Sequence, residues 1–285
     1  MSDLLYSALH HPQLKQIITD VQTACEGLGL SFFAVGALAR NVWYTAHDMH
    51  SRGTKDVDFA LYLSSKDVYN RLREELINHF GYTPAPHNAF CLDSPYGTPV
   101  DLLPFGEIEE NGKVIVEGKG LVEVKLDGFL ETYRNALETI QIEDDMLKVC
   151  SIPAVVLLKL IAIDDRPERR PNDPLDIDAV LRHYPDLETE LIWEDYNFLY
   201  KDDSKHELVG IEVLGYEVSK IIHENQTLCA RVVDILDRAV DRRSSLAKQM
   251  MSPDVEETVD HKIERLATLR RGIVDGLKAV SGTSH

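Results

Sequence analysis

The segment DVDFALYL, residues 56–63, combines an apolar run with two aspartates. Side chains alternate along a strand, so Asp56 and Asp58 share one face while Val57 and Phe59 point to a core. Two neighbouring carboxylates repel each other, by roughly 1 kcal/mol in water at about 4 Å and by more in a cleft. Two aspartates at this spacing often only mark the solvent-exposed face of a strand. In a cleft, however, the pair needs a cation or a shared proton, and a divalent metal ion is the simplest candidate.

Upstream of this strand, SFFAVG at residues 31–36 reads as a short apolar strand that ends at a glycine. A helix is predicted to follow over 37–49. The first backbone N–H groups of a helix can hold a phosphate, so Gly36 and Ala37 are candidate phosphate contacts. Taken alone, this turn is weak evidence, because a glycine between a strand and a helix is commonly just a tight connection.

Downstream, TPVDLLPFG at residues 98–106 places Asp101 on the opposite strand face to Val100 and Leu102. A third carboxylate can complete a site for Mg²⁺ or Mn²⁺. Mg²⁺ is octahedral, and three oxygen ligands leave positions for water and for substrate phosphates.

The remaining pattern predicts an α/β (α+β) fold, with a small mixed β-sheet and helices followed by a mainly helical C-terminal region. Helical spacing covers 12–28 and 65–81, and an apolar helix is expected over 151–163. The predicted domains are 1–150, carrying the catalytic groups, and 151–285, mainly helical and completing the cleft. Further strand-like pieces lie at 87–93, 98–103, 112–117 and 121–126.

Composition excludes several classes of protein. The 285 residues include 30 Lys and Arg against 48 Asp and Glu, a net charge of -18, which disfavours unaided binding to nucleic acid. Four scattered cysteines indicate neither a disulfide framework nor a zinc site. No stretch of the sequence is apolar over the roughly 20 residues that a membrane span needs, and the first residues lack the basic-then-apolar order of a signal peptide. A cytoplasmic protein is therefore expected.

The order of the three motifs resembles that of a known superfamily. A glycine turn at 35–37, DVD at 56–58 and VDLLPFG at 100–106 are similar to the DNA polymerase β-type nucleotidyltransferases. The signature of that superfamily is a glycine turn, a DxD strand and a later strand carboxylate.

Two longer phrases resemble one branch, the AbiEii-type nucleotidyltransferases, which are toxins of abortive-infection toxin–antitoxin systems. These are RGTKDVDFAL at 52–61 and the helix SIPAVVLLKLIAIDDR at 151–166, followed by RRPNDPLDIDAVL at 169–181. The resemblance spans about residues 31–183.

The resemblance implies roles for individual residues. Asp56 and Asp58 would be metal ligands, and Asp101 would be the third carboxylate and help activate the attacking hydroxyl. Gly36 and Ala37 would receive the nucleotide phosphates. A serine often follows this glycine in the superfamily, whereas Ala37 supplies no hydroxyl, so phosphate contact would depend on backbone N–H groups and on cations. Lys55 and Arg52 are candidate cations and equally good surface residues.

Lys159 lies within the apolar run AVVLLKLIAI and needs an anion, because an unpaired buried charge costs several kcal/mol. The family resemblance favours a nucleotide triphosphate as that anion. The structural alternative is a carboxylate such as Asp176 or Asp178.

The implied function is transfer of an NMP group from an NTP, such as ATP or CTP, to an acceptor hydroxyl with release of pyrophosphate. The resemblance favours RNA, the tRNA 3′ end, as acceptor, and a cognate antitoxin as a partner protein. The alternatives are a protein hydroxyl as acceptor, an antibiotic-type small-molecule nucleotidyltransferase, and a nucleotide- or partner-binding module without turnover. The aromatic run WEDYNFLY at 193–200 can stack on a base or simply pack on a core.

Overall fold

The computed structural model describes residues 4–49, 53–252 and 256–282. The chain divides into two compact units, Met1–Ser151 and Ile152–His285. The catalytic and cleft-completing roles predicted for the two regions stay predictions.

The first unit is built on a seven-stranded mixed sheet. Its strands are β1 (Phe32–Ala34), β2 (Val57–Tyr62), β3 (Thr83–Pro84), β4 (Cys91–Asp93), β5 (Pro99–Phe105), β8 (Leu137–Ile142) and β9 (Asp145–Cys150). Their order is β3-β4-β5-β2-β1-β9-β8, in which β2 is parallel to β5 and β1 is parallel to β9. A separate ribbon pairs β6 (Val114–Ile115) with β7 (Glu123–Val124). The β1–β2, β3–β4, β4–β5 and β8–β9 pairs are antiparallel.

Four α-helices accompany the sheet in the described part of the first unit. They are α1 (Leu14–Leu28), α2 (Gly36–Ala46), α3 (Lys66–Phe80) and α4 (Phe129–Asn135). The apolar residues Leu14, Ile17, Ile18 and Val21 of α1 are 0% exposed, and Leu28, the last residue of the predicted apolar spacing, is half-buried. Helix α3 begins where the Val68 N–H donates to the Ser65 hydroxyl and ends at Gly81, which adopts the left-handed conformation.

The hairpin of β8 and β9 was not predicted from the sequence, and neither was α4. The two strands are joined by Glu143 and Asp144, and Glu143 has φ of 52°. Two-residue hairpins usually place Gly or Asn at such a position. The residues of the turn therefore do not indicate a hairpin. Without that signal, the alternating apolar and polar residues on either side of the turn are easily taken for a loop.

The second unit contains helices and, within its described residues, no strand. Its helices are α5 (Ile152–Asp165), α6 (Asp173–Leu187), α7 (Thr189–Asp195), α8 (His206–Ile222), α9 (Gln226–Ala239), α10 (Ser245–Gln249) and α11 (Val259–Gly282). Helix α5 is buried along its first ten residues, as its continuous apolar sequence predicts. The predicted fold class, a mixed sheet with helices followed by a helical region, is confirmed.

Helices α8 and α11 pack closely because glycines line their crossing. A Cβ added to Gly272 would lie 2.1 Å from the carbonyl oxygen of Glu212, and one added to Gly215 would lie 2.5 Å from that of Leu269. These distances leave no room for a side chain, so backbone meets backbone across the helix pair. Within the described residues, no helix has both the length and the apolarity required to cross a membrane.

Candidate active site

Two of the predicted aspartates lie side by side at the centre of the sheet. Asp58 of β2 and Asp101 of β5 are partners in register on adjacent parallel strands. Partners in register point to the same face, with strands about 4.8 Å apart. Their neighbours Phe59 and Leu102 are 0% exposed, whereas both aspartates are half-buried. The sheet therefore brings together two carboxylates that are 43 positions apart, from 58 to 101, on one accessible face.

The glycine turn lies directly against Asp58. Gly36 opens α2 with φ of +63°, and a Cβ at this position would lie 2.6 Å from Asp58 Oδ2. The Val35 N–H donates to the Asp58 carbonyl oxygen at 3.1 Å, which fixes the turn to β2. Only glycine adopts this positive φ readily and has no Cβ that would collide with the Asp58 carboxylate. The first backbone groups of α2, including those of half-buried Ala37, therefore begin next to a site carboxylate.

Asp56 lies just before β2 and is exposed. The Thr54 hydroxyl lies 2.7 Å from Asp56 Oδ1 and 3.1 Å from the Asp56 carbonyl oxygen. Lys55 is exposed in the same bend. Arg52 lies outside the described residues. The loop before β2 therefore orients the Asp56 carboxylate through a neighbouring hydroxyl that sequence reasoning did not single out.

Asp101 has two neighbours that the sequence did not identify. Asn88 Nδ2 donates to Asp101 Oδ1 at 3.0 Å, and Asn88 Oδ1 accepts from the Phe90 N–H at 3.0 Å. Cys91 of β4 is the antiparallel partner of Asp101. Burial, followed by the charge of Asp101, raises the pKa of the Cys91 thiol and keeps it protonated. Asn88 belongs to no motif, and only its hydrogen bond to Asp101 in the folded chain reveals its position.

The donor set suits a hard divalent cation, because Asp58 and Asp101 offer carboxylate oxygens from adjacent strands. A complete cluster is not preformed: across residues 4–49, 53–252 and 256–282, no group of three or more His, Cys, Asp or Glu side chains is placed to hold a metal ion. Asp56 is also a predicted metal ligand, and its carboxylate lies in the exposed loop before the strand. The residues present therefore fit Mg²⁺ or Mn²⁺ in chemistry, with two carboxylates paired by the sheet.

Lys159, in the second unit, is bound to carboxylates. Its Nζ lies 2.5 Å from Asp173 Oδ1 and 2.9 Å from Asp176 Oδ2, and its side chain is 8% exposed. Asp176 is one of the two structural partners considered from the sequence, whereas Asp178 pairs with Lys262 and Arg265. The buried ion pairs account for a lysine in this apolar helix. Its contact with a nucleotide stays a prediction.

Comparison with known proteins places the chain in a family. Residues 43–266 match the family model described as the nucleotidyl transferase AbiEii toxin of type IV toxin–antitoxin systems. The match covers Asp56, Asp58, Asp101 and Lys159 and begins after Gly36. No curated protein matches the chain.

Among solved structures, the chain resembles an antigenic nucleotidyltransferase-like protein from Paracoccidioides brasiliensis. The two are 14% identical, with a TM-score of 0.40, and the likeness covers 80% of this chain and 94% of that one.

The family match, which covers most of the chain, identifies its class as a nucleotidyl transferase of a toxin system. The chain belongs to the AbiEii nucleotidyl transferase toxin family.

Proposed function

We propose that this protein transfers an NMP group from a nucleoside triphosphate to an acceptor hydroxyl, with pyrophosphate as the leaving group. The observation that carries the proposal is the register pairing of Asp58 with Asp101 beside the Gly36 turn. This arrangement combines two carboxylates with the backbone of a helix start, and family membership supports the same chemistry.

Each residue has a separate task in this reaction. Asp56, Asp58 and Asp101 would hold Mg²⁺ or Mn²⁺, and the bound ion would neutralise phosphate charge and lower the pKa of the attacking hydroxyl. The backbone at Gly36 and Ala37 binds phosphate oxygens, and Lys55 and Lys159 are the proposed cationic contacts. Asp101 helps to remove the proton of the acceptor hydroxyl. The new oxygen–phosphorus bond forms at the α-phosphate as the bond to pyrophosphate breaks.

The acceptor that we propose is the 3′ hydroxyl of an RNA, in particular tRNA. This choice is supported by membership in a toxin family, because modification of RNA ends would arrest growth. The type IV description supports a cognate antitoxin as a second partner. The supply of nucleoside triphosphates supports a cytoplasmic location.

The test is incubation of the purified protein with Mg²⁺ and each α-labelled nucleoside triphosphate, with total RNA, total protein or a panel of aminoglycosides added separately. We expect label in the RNA pool and a rate at least a hundredfold lower in Asp58→Asn, since this change removes a carboxylate ligand of the metal ion. The matched control is Glu138→Gln, which neutralises a carboxylate on the edge strand β8 and should keep full activity.

Other outcomes have defined meanings. Label in the aminoglycoside pool would replace the RNA acceptor by a small molecule. Nucleotide binding with no label in any pool would favour the binding module without turnover. Full transfer by Asp58→Asn would overturn the assignment of the site.

A further inference from the structure

The segment WEDYNFLY, at residues 193–200, presents two exposed aromatic rings that the transfer reaction does not use. Trp193 is 52% exposed and Phe198 is 62% exposed. Each ring has aromatic neighbours that hold its orientation. We call this surface the α7 aromatic face, defined by Trp193 and Phe198 with the exposed residues between them.

The Trp193 ring is supported by two further rings. It stacks on Tyr200 with centroids 4.6 Å apart and an angle of 5° between the planes, and it lies nearly parallel to His206 at 6.2 Å. Tyr200 is hydrogen-bonded to His206 Nδ1. A ring fixed in this way loses little conformational entropy on binding, which is the property of the aromatic anchors found in protein interfaces.

Phe198 is fixed in a similar way. Its centroid is 6.0 Å from that of Tyr196 and 6.4 Å from that of Tyr216. It also lies on the wall of an open cavity of about 770 Å³, which Tyr216, Glu212 and Glu264 help to line. The cavity offers space for a side chain of a partner beside the exposed ring.

The charge around these rings is negative. Residues 190–205 contain five carboxylates, all exposed, against the two lysines Lys201 and Lys205. On α7, Glu190 is three residues before Trp193 and four before Glu194, so Glu190 neighbours both on the helix surface, and Glu194 follows Trp193 directly. The carboxylates are Glu190, Glu194, Asp195, Asp202 and Asp203.

A cation satisfies both features of this surface. An Arg or Lys side chain stacks favourably on a tryptophan ring and pairs with adjacent carboxylates. The protein already contains such a contact nearby, since Lys220 Nζ lies 5.4 Å from the centre of the Tyr196 ring. The same carboxylates would repel the phosphates of a nucleic acid. A cationic side chain is therefore a better partner for the tryptophan ring than a base.

We propose that the α7 aromatic face docks a partner protein through a cationic segment, with an Arg or Lys side chain on the outer face of Trp193 between Glu190 and Glu194. An exposed helix face suits a protein segment better than a small cation, because small ligands are largely enclosed by concave sites. This surface belongs to the second unit and shares no residue with the three aspartates of the first, so the proposal does not depend on nucleotidyl transfer.

The test is titration of the full-length protein with a panel of dye-labelled dodecapeptides that contain Arg or Lys among apolar residues, followed by fluorescence anisotropy. We expect binding that 0.5 M salt weakens. Trp193→Ala should weaken it at least tenfold. The Glu190→Gln/Glu194→Gln double variant should do the same, and since its two side chains are exposed and on the surface, its fold should be kept.

Two controls accompany these variants. Met146→Ala removes an exposed apolar side chain, 57% accessible, from β9 of the first unit and should change the dissociation constant by less than twofold. Asp58→Asn should bind the peptides like the unchanged protein even though it is inactive. This pairing separates failure of the docking proposal from failure of the proposed function.

Three results would overturn the proposal. The first is that no cationic peptide in the panel binds. The second is binding that is unaffected by both Trp193→Ala and the double glutamine variant. The third is binding of a 12-nucleotide single-stranded RNA that is lost in Trp193→Ala, because this would make the face a base-stacking platform.

Discussion

At the scale of single residues, the site depends on hydrogen bonds that orient its carboxylates. Asp101 accepts from Asn88, and Asn88 is itself held by the Phe90 N–H. Asp56 is oriented by Thr54. A carboxylate that must meet a cation and a hydroxyl gains from such positioning, because its direction is fixed before substrate binds. Asn88 acts through Asp101 and is therefore a positioning residue.

Asn88→Ala should lower kcat about tenfold or more while the KM for nucleoside triphosphate changes less than threefold. The change removes a hydrogen bond to a charged group, which is worth about 1.5–3 kcal/mol. Steady-state labelling assays measure both constants. Gln22→Ala, which removes an exposed amide on α1, is the matched control. A folded Asn88→Ala protein with unchanged kcat would show that Asn88 only stabilises its turn.

At the scale of elements, α5 and α6 are joined by buried ion pairs. Lys159 projects from α5, and Asp173 and Asp176 lie in the first turn of α6. Carboxylates also favour the start of a helix, where the macrodipole is positive. Burial of all three side chains makes the loss of one partner costly, because the others stay buried and charged.

Lys159→Met should destabilise the protein by about 3–5 kcal/mol, because it removes the buried cation that Asp173 and Asp176 share. Urea unfolding measures this change. Lys278→Met, which breaks an exposed pair with Asp275, should cost less than about 1 kcal/mol. If Lys159→Met keeps its stability, the ion pairs contribute little; if it keeps its fold and loses nucleotide affinity, the predicted phosphate contact is supported.

At the scale of the whole molecule, a protein of net charge -18 keeps several of its cations inside. Lys262 and Arg265 of α11 are buried and pair with Asp178 of α6 and with Glu257, which precedes α11. Arg265 Nε also lies 2.6 Å from Glu207 Oε1 of α8. One charged cluster therefore joins three helices of the second unit.

This cluster predicts loss of stability in acid. Hydrogen bonds from Arg265 lower the pKa of Glu257 from 4.5 to about 2. The folded state thus favours the charged carboxylate, and the stabilisation is present above pH 4.5 and lost as the pH falls towards 2. The contribution is at most about 3 kcal/mol, since Glu257 is partly exposed to solvent.

Urea unfolding of the unchanged protein and of Glu257→Gln at pH 6, 4.5 and 3 tests this prediction. The difference in free energy of unfolding between the two proteins should be largest at pH 6 and shrink as the pH falls. Glu224→Gln, which changes an exposed carboxylate, should give no such trend. A difference that stays constant from pH 6 to pH 3 would contradict the role of Glu257.

The sequence by itself determined several of the local elements and the family of the protein. Periodicity predicted α1, α3, the buried helix α5 and the strand with Asp58, because burial of one face imposes a period of 2 or 3.6 residues. The spacing of the three aspartates led to the nucleotidyltransferase resemblance, and the family match confirms that family. Local pattern is enough for these features because each depends on neighbouring residues alone.

The tertiary structure alone decided which distant residues meet. The sheet order set Asp58 beside Asp101, brought Gly36 against Asp58 and placed Asn88 on Asp101. The packing of α5 on α6 gave Lys159 its carboxylates. Strand order and helix packing depend on the burial of apolar surface over a whole unit. No short stretch of sequence determines that burial by itself.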